Sequence, residues 1–123
     1  MIYTNYKISF YKDKKGKSSV LEYINKLPEK EKLKIYKYIE FLKVNKGVLD
    51  EPYSKHIKGK IRELRVDFGK NRHRIFYFTF IDKNIIFLHA FLKSTTKTPV
   101  REIKKAEDMY CNIINNPNAY GQK

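Results

Sequence analysis

The chain has 123 residues, with 27 Lys and Arg against 13 Asp and Glu, for a formal net charge of +14. That length suits one domain able to bury a core without metals or cross-links, and 10 Tyr with 8 Phe supply the apolar material. The lone Cys111 excludes an intrachain disulfide, Asn5 and Lys7 interrupt the only candidate apolar leader, and no apolar run reaches membrane-spanning length. The expectation is a cytoplasmic domain with no membrane partner, whose spread positive field favours polyanions.

Positions 6–11 alternate, with Tyr6, Ile8 and Phe10 against Lys7, Ser9 and Tyr11, and predict a first strand. A charged turn with Gly16 follows. Ser19 and Glu22 have capping-box spacing, and Val20, Leu21, Ile24 and Leu27 trace a helical face up to Pro28. Pro28 can open a second helix, with Glu29 and Glu31 favourably placed in its first turn. Leu33, Ile35, Tyr36, Ile39 and Leu42 form its apolar stripe, and Gly47 is its stop.

Residues 48–60, rich in Lys and holding Pro52, His56 and Gly59, read as a loop. Three strands are predicted at 61–68, 73–81 and 84–93, joined by turns at 69–71 and at Asp82 and Lys83. Thr98 as cap and Pro99 at the first position begin a last helix, carried by Ile103, Ala106, Met109, Tyr110 and Ile113 to about Asn116. Residues 1–116 thus read as one domain and 117–123 as a flexible tail. The order βααβββα gives an α+β fold: an antiparallel sheet with two N-terminal helices on one face, and a C-terminal helix.

Strand parity divides these residues between two faces. In the last strand Ile86, Leu88, Ala90 and Leu92 point one way, while Ile85, Phe87, His89, Phe91 and Lys93 point the other. In the middle strand Arg72, Arg74, Phe76, Phe78 and Phe80 oppose Ile75, Tyr77, Thr79 and Ile81. In the first of the three, Leu64 and Val66 face inward, Glu63 and Arg65 outward. Antiparallel stacking then groups Arg65, Arg72, Arg74, His89 and Lys93 at one end of one face, beside Phe76 and Phe91. Guanidinium groups grip phosphates and exposed rings stack on bases, so the pattern suits RNA. Glu63 reads best as a salt-bridge partner of Arg65. No glycine-rich phosphate loop and no Cys/His metal spacing is present, so no metal or cofactor is expected.

The segments IRELRV (61–66), HRIFYF (73–78) and LHAFLKSTTKTP (88–99), followed by REIKKAED, resemble the RelE/ParE toxin superfamily in its HigB-like, phage-derived branch. The resemblance implies a RelE-like fold and a toxin of a toxin–antitoxin pair. It also implies metal-independent endoribonuclease activity that cleaves mRNA, commonly on the translating ribosome, by attack of the ribose 2′-hydroxyl to leave a 2′,3′-cyclic phosphate. The implied partner is a helix-turn-helix, HigA-like antitoxin, through which alone operator DNA would be bound. Carried over by position, Arg74 stabilises the phosphate, Arg65 orients substrate, and Lys93 and Lys97 match the basic segment after the last strand. His89 would serve as base or acid, and Arg72, Phe76 and Phe91 would bind RNA. Glu63 stands where some RelE proteins carry lysine, and Tyr110 is a candidate for a tyrosine of their final helix. Two rivals share the pattern: a ParE-like toxin directed at a protein such as DNA gyrase, and a non-catalytic RNA-binding module.

Overall fold

In the computed structural model, residues 5–120 are described, apart from the side chain of Asp82. The elements are β1 (Lys7–Phe10), α1 (Ser19–Asn25), α2 (Glu29–Val44), β2 (Ser54–Lys58), β3 (Ile61–Phe68), β4 (Asn71–Phe80), β5 (Asn84–Leu92) and α3 (Val100–Asn115). The five strands form one sheet in the order β1-β5-β4-β3-β2. The fold is α+β, with α1 and α2 on one face of the sheet and α3 on the other.

Two features of the sheet differ from the sequence expectation. β1 pairs with β5 in parallel, so the sheet is mixed rather than antiparallel. Residues 54–58 are not loop: β2 pairs antiparallel with β3 as an edge strand. Its sequence, SKHIK, lacks alternating apolar residues because neither of its faces is deeply covered: Lys55, His56 and Lys58 are all exposed.

A third difference is a β-bulge that decides what the last strand presents. Phe76 lies opposite His89, but the next pair is Tyr77 with Phe87, leaving Leu88 as an extra residue. Parity therefore inverts along β5. Ile85 and Phe87 join Ala90 in the core under α1 and α2, while Ile86, Leu88 and Phe91 pack beneath α3. A strict two-residue period would put Ile85 and Phe87 on the same face as Phe91, and Ile86 and Leu88 with Ala90.

Helix ends also follow local chemistry more closely than residue spacing does. Ser18, not Ser19, caps α1, its Oγ accepting the Leu21 N–H at 3.2 Å. At the end of α2, Gly47 N–H reaches Leu42 O at 2.7 Å and Lys46 N–H reaches Lys43 O, with Lys46 at φ +60° and Gly47 at φ +86°. At α3, Pro99 occupies the cap position and Thr98 turns its hydroxyl to Glu63 instead. Pro117–Ala119 form a short 3₁₀ turn, and the Tyr120 hydroxyl accepts the Lys12 N–H at 2.9 Å. Residues 121–123 lie outside the described part.

On the α1/α2 face, a buried polar network joins both helices to β4. His73 Nε2 lies 2.7 Å from Glu31 Oε1, and Tyr23 Oη lies 2.7 Å from His73 Nδ1. Bonds from His73 and Asn71 hold the Glu31 carboxyl below its usual range. An ionised carboxylate only accepts, so the His73 Nε2 carries the proton.

Candidate active site

The α3 face of the sheet has two halves. Ala106 and Ile113 of α3 cover Phe76, Phe78, Ile86, Leu88 and Phe91. Beyond the first turn of α3 the cations begin. Arg65 stands opposite Arg74, and Arg74 opposite Phe91, so three adjacent strands align there. Two pairs further along, Asp67 faces Arg72, whose carbonyl accepts the Lys93 N–H at 2.9 Å.

At the floor of this end lies Glu63, fully buried. Its Oε1 accepts from Arg65 Nε at 2.9 Å and its Oε2 from the Thr98 hydroxyl at 3.1 Å. That use of the guanidinium Nε leaves Arg65's terminal nitrogens for another acceptor. Arg74 is the more enclosed arginine, its side chain 7% exposed. One of its terminal nitrogens donates to Asp67 Oδ1 at 2.7 Å and to His73 O at 3.0 Å, while its Nε is buried without a partner. An unpaired buried donor costs about 1–3 kcal/mol, a cost a ligand oxygen could remove if it reached the group.

Lys93 completes the cluster. Burial lowers its ammonium below the ordinary lysine range, and Arg74, Arg65 and Arg72 lower it further, against the opposing pull of Glu63. Four cations thus share one end of the sheet with two carboxylates, and the site keeps a net positive charge. Lys97 lies exposed on the loop before α3, its carbonyl accepting from Thr95.

His89 does not open onto this cluster. Its Nε2 donates to Glu102 Oε1 of α3 at 2.6 Å, its ring stacks on Phe91, and its Nδ1 is buried without a partner. Phe76 has no exposed surface and Phe91 is 7% exposed, so in this arrangement neither ring offers a face to a base. Both serve the α3 core. Strand parity tells which face a ring takes and not whether a helix lies over it.

The aromatic rings that do flank the cations come from elsewhere. Beyond the end of β2, where Tyr53 O accepts the Arg65 N–H at 2.8 Å, a cleft of about 320 Å³ opens. Lys34 and Tyr38 of α2, Pro52 and Tyr53, and Arg65, Asp67 and Arg74 line it. Sequence reading missed Lys34, Tyr38, Tyr53 and Asp67 here. The adjacency of Pro52 and Tyr53 in a loop was the only trace of it.

This architecture, a mixed sheet with a basic end, agrees with the comparison to known families: residues 22–111 match the family described as "Phage derived protein Gp49-like (DUF891)". The chain belongs to the Gp49-like family. Gp49-like proteins form a RelE/HigB-type toxin family, which accords with a toxin of a toxin–antitoxin system that has an antitoxin partner. The matched segment runs from α1 through α3 and contains every residue of the basic cluster. No curated protein matches this Gp49-like chain. Among its described residues no helix is long and apolar enough to cross a membrane, and no group of His, Cys, Asp and Glu is arranged to hold a metal ion.

Proposed function

We propose that this Gp49-like protein is an mRNA-cleaving toxin of the HigB-like branch, acting on the translating ribosome and neutralised by a helix-turn-helix, HigA-like antitoxin. The supporting observation is the convergence of Arg65, Arg72, Arg74 and Lys93 around the buried Glu63, with the Lys93 ammonium held below its ordinary range. In the reaction the 2′-oxygen bonds to phosphorus as its proton passes to solvent water, the bond from phosphorus to the 5′-oxygen breaks, and a second proton reaches the 5′-oxygen. Arg65 and Arg74 stabilise the charge that builds on the phosphate oxygens. Lys93 donates the proton to the leaving 5′-oxygen, a role favoured by a lowered lysine value. Arg72 and Lys97 hold flanking phosphates.

We assign His89 a different part from the proton transfer expected of it. Bonded to Glu102, it fastens the first turn of α3 to β5. Thr98, just before the same turn, bonds Glu63 of β3, so the α3 end of the loop carrying Lys93 and Lys97 is tied to both β5 and β3.

The test is cleavage of a ribosome-bound message containing a single 2′-deoxy nucleotide at the cut position. Cleavage of the all-ribose message and its loss at the deoxy position would support the mechanism. Cutting that survives the deoxy substitution would refute attack by the 2′-hydroxyl.

A further inference from the structure

The cleft beside the arginines has features that the phosphate chemistry does not use. Its Tyr53 ring is 49% exposed, and Tyr38 braces it edge-on with centroids 5.8 Å apart at 72°. Tyr38 is itself packed against Phe41 at 5.8 Å, so Tyr53 has a supporting layer behind it. Lys34 lies over the Tyr38 ring and donates to Asp67 O, closing the α2 side.

The charges fix the orientation of an occupant. Arg65 and Arg74 form one wall, and the half-exposed Asp67 carboxylate stands beside them. A phosphate group is drawn to the arginine wall and repelled by Asp67, so the remaining space suits a neutral, flat, hydrogen-bonding group. A volume of about 320 Å³ falls within the span of about 300–1,000 Å³ usual for small-molecule sites. A flat polar ring covalently attached to a sugar phosphate is a nucleobase.

We infer that this cleft is a nucleobase subsite, in which Tyr53 stacks on the base of a ribonucleotide whose phosphate is held by Arg65 and Arg74. The inference rests on the RNA-cleaving reading for its substrate class, and it adds the element that grips the base. Bracing by Tyr38 matters energetically: a ring already held in place loses little freedom on binding, so more of the stacking appears as affinity. Stacking on an aromatic ring contributes about 1–3 kcal/mol per base, which is about 5- to 150-fold in affinity. It accepts any base, so the subsite registers the nucleotide without strongly reading its identity.

The experiment compares adenosine 5′-monophosphate with ribose 5-phosphate by calorimetric titration of the purified protein, beside Tyr53→Ala and Tyr53→Phe. Both variants leave the main-chain bond from Arg65 N–H to Tyr53 O in place, and circular dichroism checks their fold. The nucleotide is expected to bind at least five-fold more tightly than the sugar phosphate. Tyr53→Ala should erase that advantage and Tyr53→Phe should keep it. Equal affinity of the two compounds for the wild type, or an advantage unchanged in Tyr53→Ala, would overturn the subsite. Cleavage of a ribosome-bound message by the same wild-type sample separates the two ideas. Cleavage without a base preference in binding sinks the subsite alone, whereas base-dependent binding without cleavage sustains the subsite and sinks the nuclease reading.

Discussion

Glu63 has no exposed surface, and it holds Arg65 by one bond, from Nε to Oε1 at 2.9 Å. A carboxylate at the centre of a cationic site does two things at once. It keeps the arginines and Lys93 from driving each other apart, and it sets which nitrogens of Arg65 face outward.

Removing that carboxylate should change both stability and titration. Glu63→Ala leaves Arg65 and the Thr98 hydroxyl without their acceptor and is expected to cost about 2–3 kcal/mol, given the partial exposure of Arg65. Urea unfolding midpoints measure it. Glu63→Gln keeps the shape and removes the charge that pulls the Lys93 value upward. The Lys93 value should therefore fall further, and the alkaline limb of the pH–activity profile should move to lower pH. An alkaline limb that stays in place would show that Lys93 does not set it.

Replacing Lys93 by Met keeps most of its length and removes the proton donor. Cleavage is expected to drop about 10²- to 10⁴-fold, the usual contribution of a general acid. Substrate binding should weaken far less, which separate single-turnover and binding measurements would show.

The network at Tyr23, His73 and Glu31 predicts opposite behaviour at the two ends of the pH scale. Glu31's folded value is depressed, so its stabilisation is fully present above the ordinary 4.5 and is lost as pH falls through the lower folded value. Tyr23 is pushed up to about 12, mainly by burial, so its contribution is intact below 10 and is lost as pH rises through that value. Glu31→Gln should therefore be less stable than wild type at neutrality, with the difference closing in acid. Tyr23→Phe should remove part of the alkaline loss. Thermal melts across pH compare the variants.

Gly47 sits at φ +86°, and a Cβ there would lie 2.6 Å from Thr79 Oγ1. Gly47→Ala is expected to destabilise the fold by about 1–2 kcal/mol, through backbone strain and displacement of Thr79. Its carbonyl accepts the buried Tyr77 hydroxyl at 2.9 Å, so the end of α2 and β4 would loosen together. Chemical denaturation against the wild type measures the change.

What could be read in the sequence follows from what each signal encodes. Strands β3 to β5 and the helices announced themselves through periodicity, and the grouping of Arg65, Arg74, Arg72 and Lys93 followed from register between neighbouring strands. β2 was hidden because its residues are charged on an exposed edge, and the parallel pairing of β1 with β5 joins segments far apart in the chain. The bulge at Leu88 has no residue signature, so Ile85 and Phe87 were placed on the wrong face. Strand register grouped His89 with the cations, whereas its partner Glu102 is brought to it by packing of α3, which no local pattern specifies. The same holds for Tyr38 and Tyr53, which meet Arg65 only after α2 and the 50–53 loop close over the β3 edge.

RNA binding should depend steeply on salt. Each phosphate contact on a single strand contributes about −0.7 to the slope of log affinity against log salt, so engagement of all four clustered cations gives about −3. Arg72→Ala should reduce the slope by about one contact. A flat salt response would remove the cationic end of the sheet as the RNA site.

The central claim is tested most directly by mapping RNA 5′ ends in cells after brief induction of wild type and of Lys93→Met. The account predicts new ends within coding sequence for the wild type, reduced at least hundredfold in a folded Lys93→Met protein. Growth arrest by the wild type without new RNA ends, and arrest equally strong in Lys93→Met, would contradict it and point to a protein target.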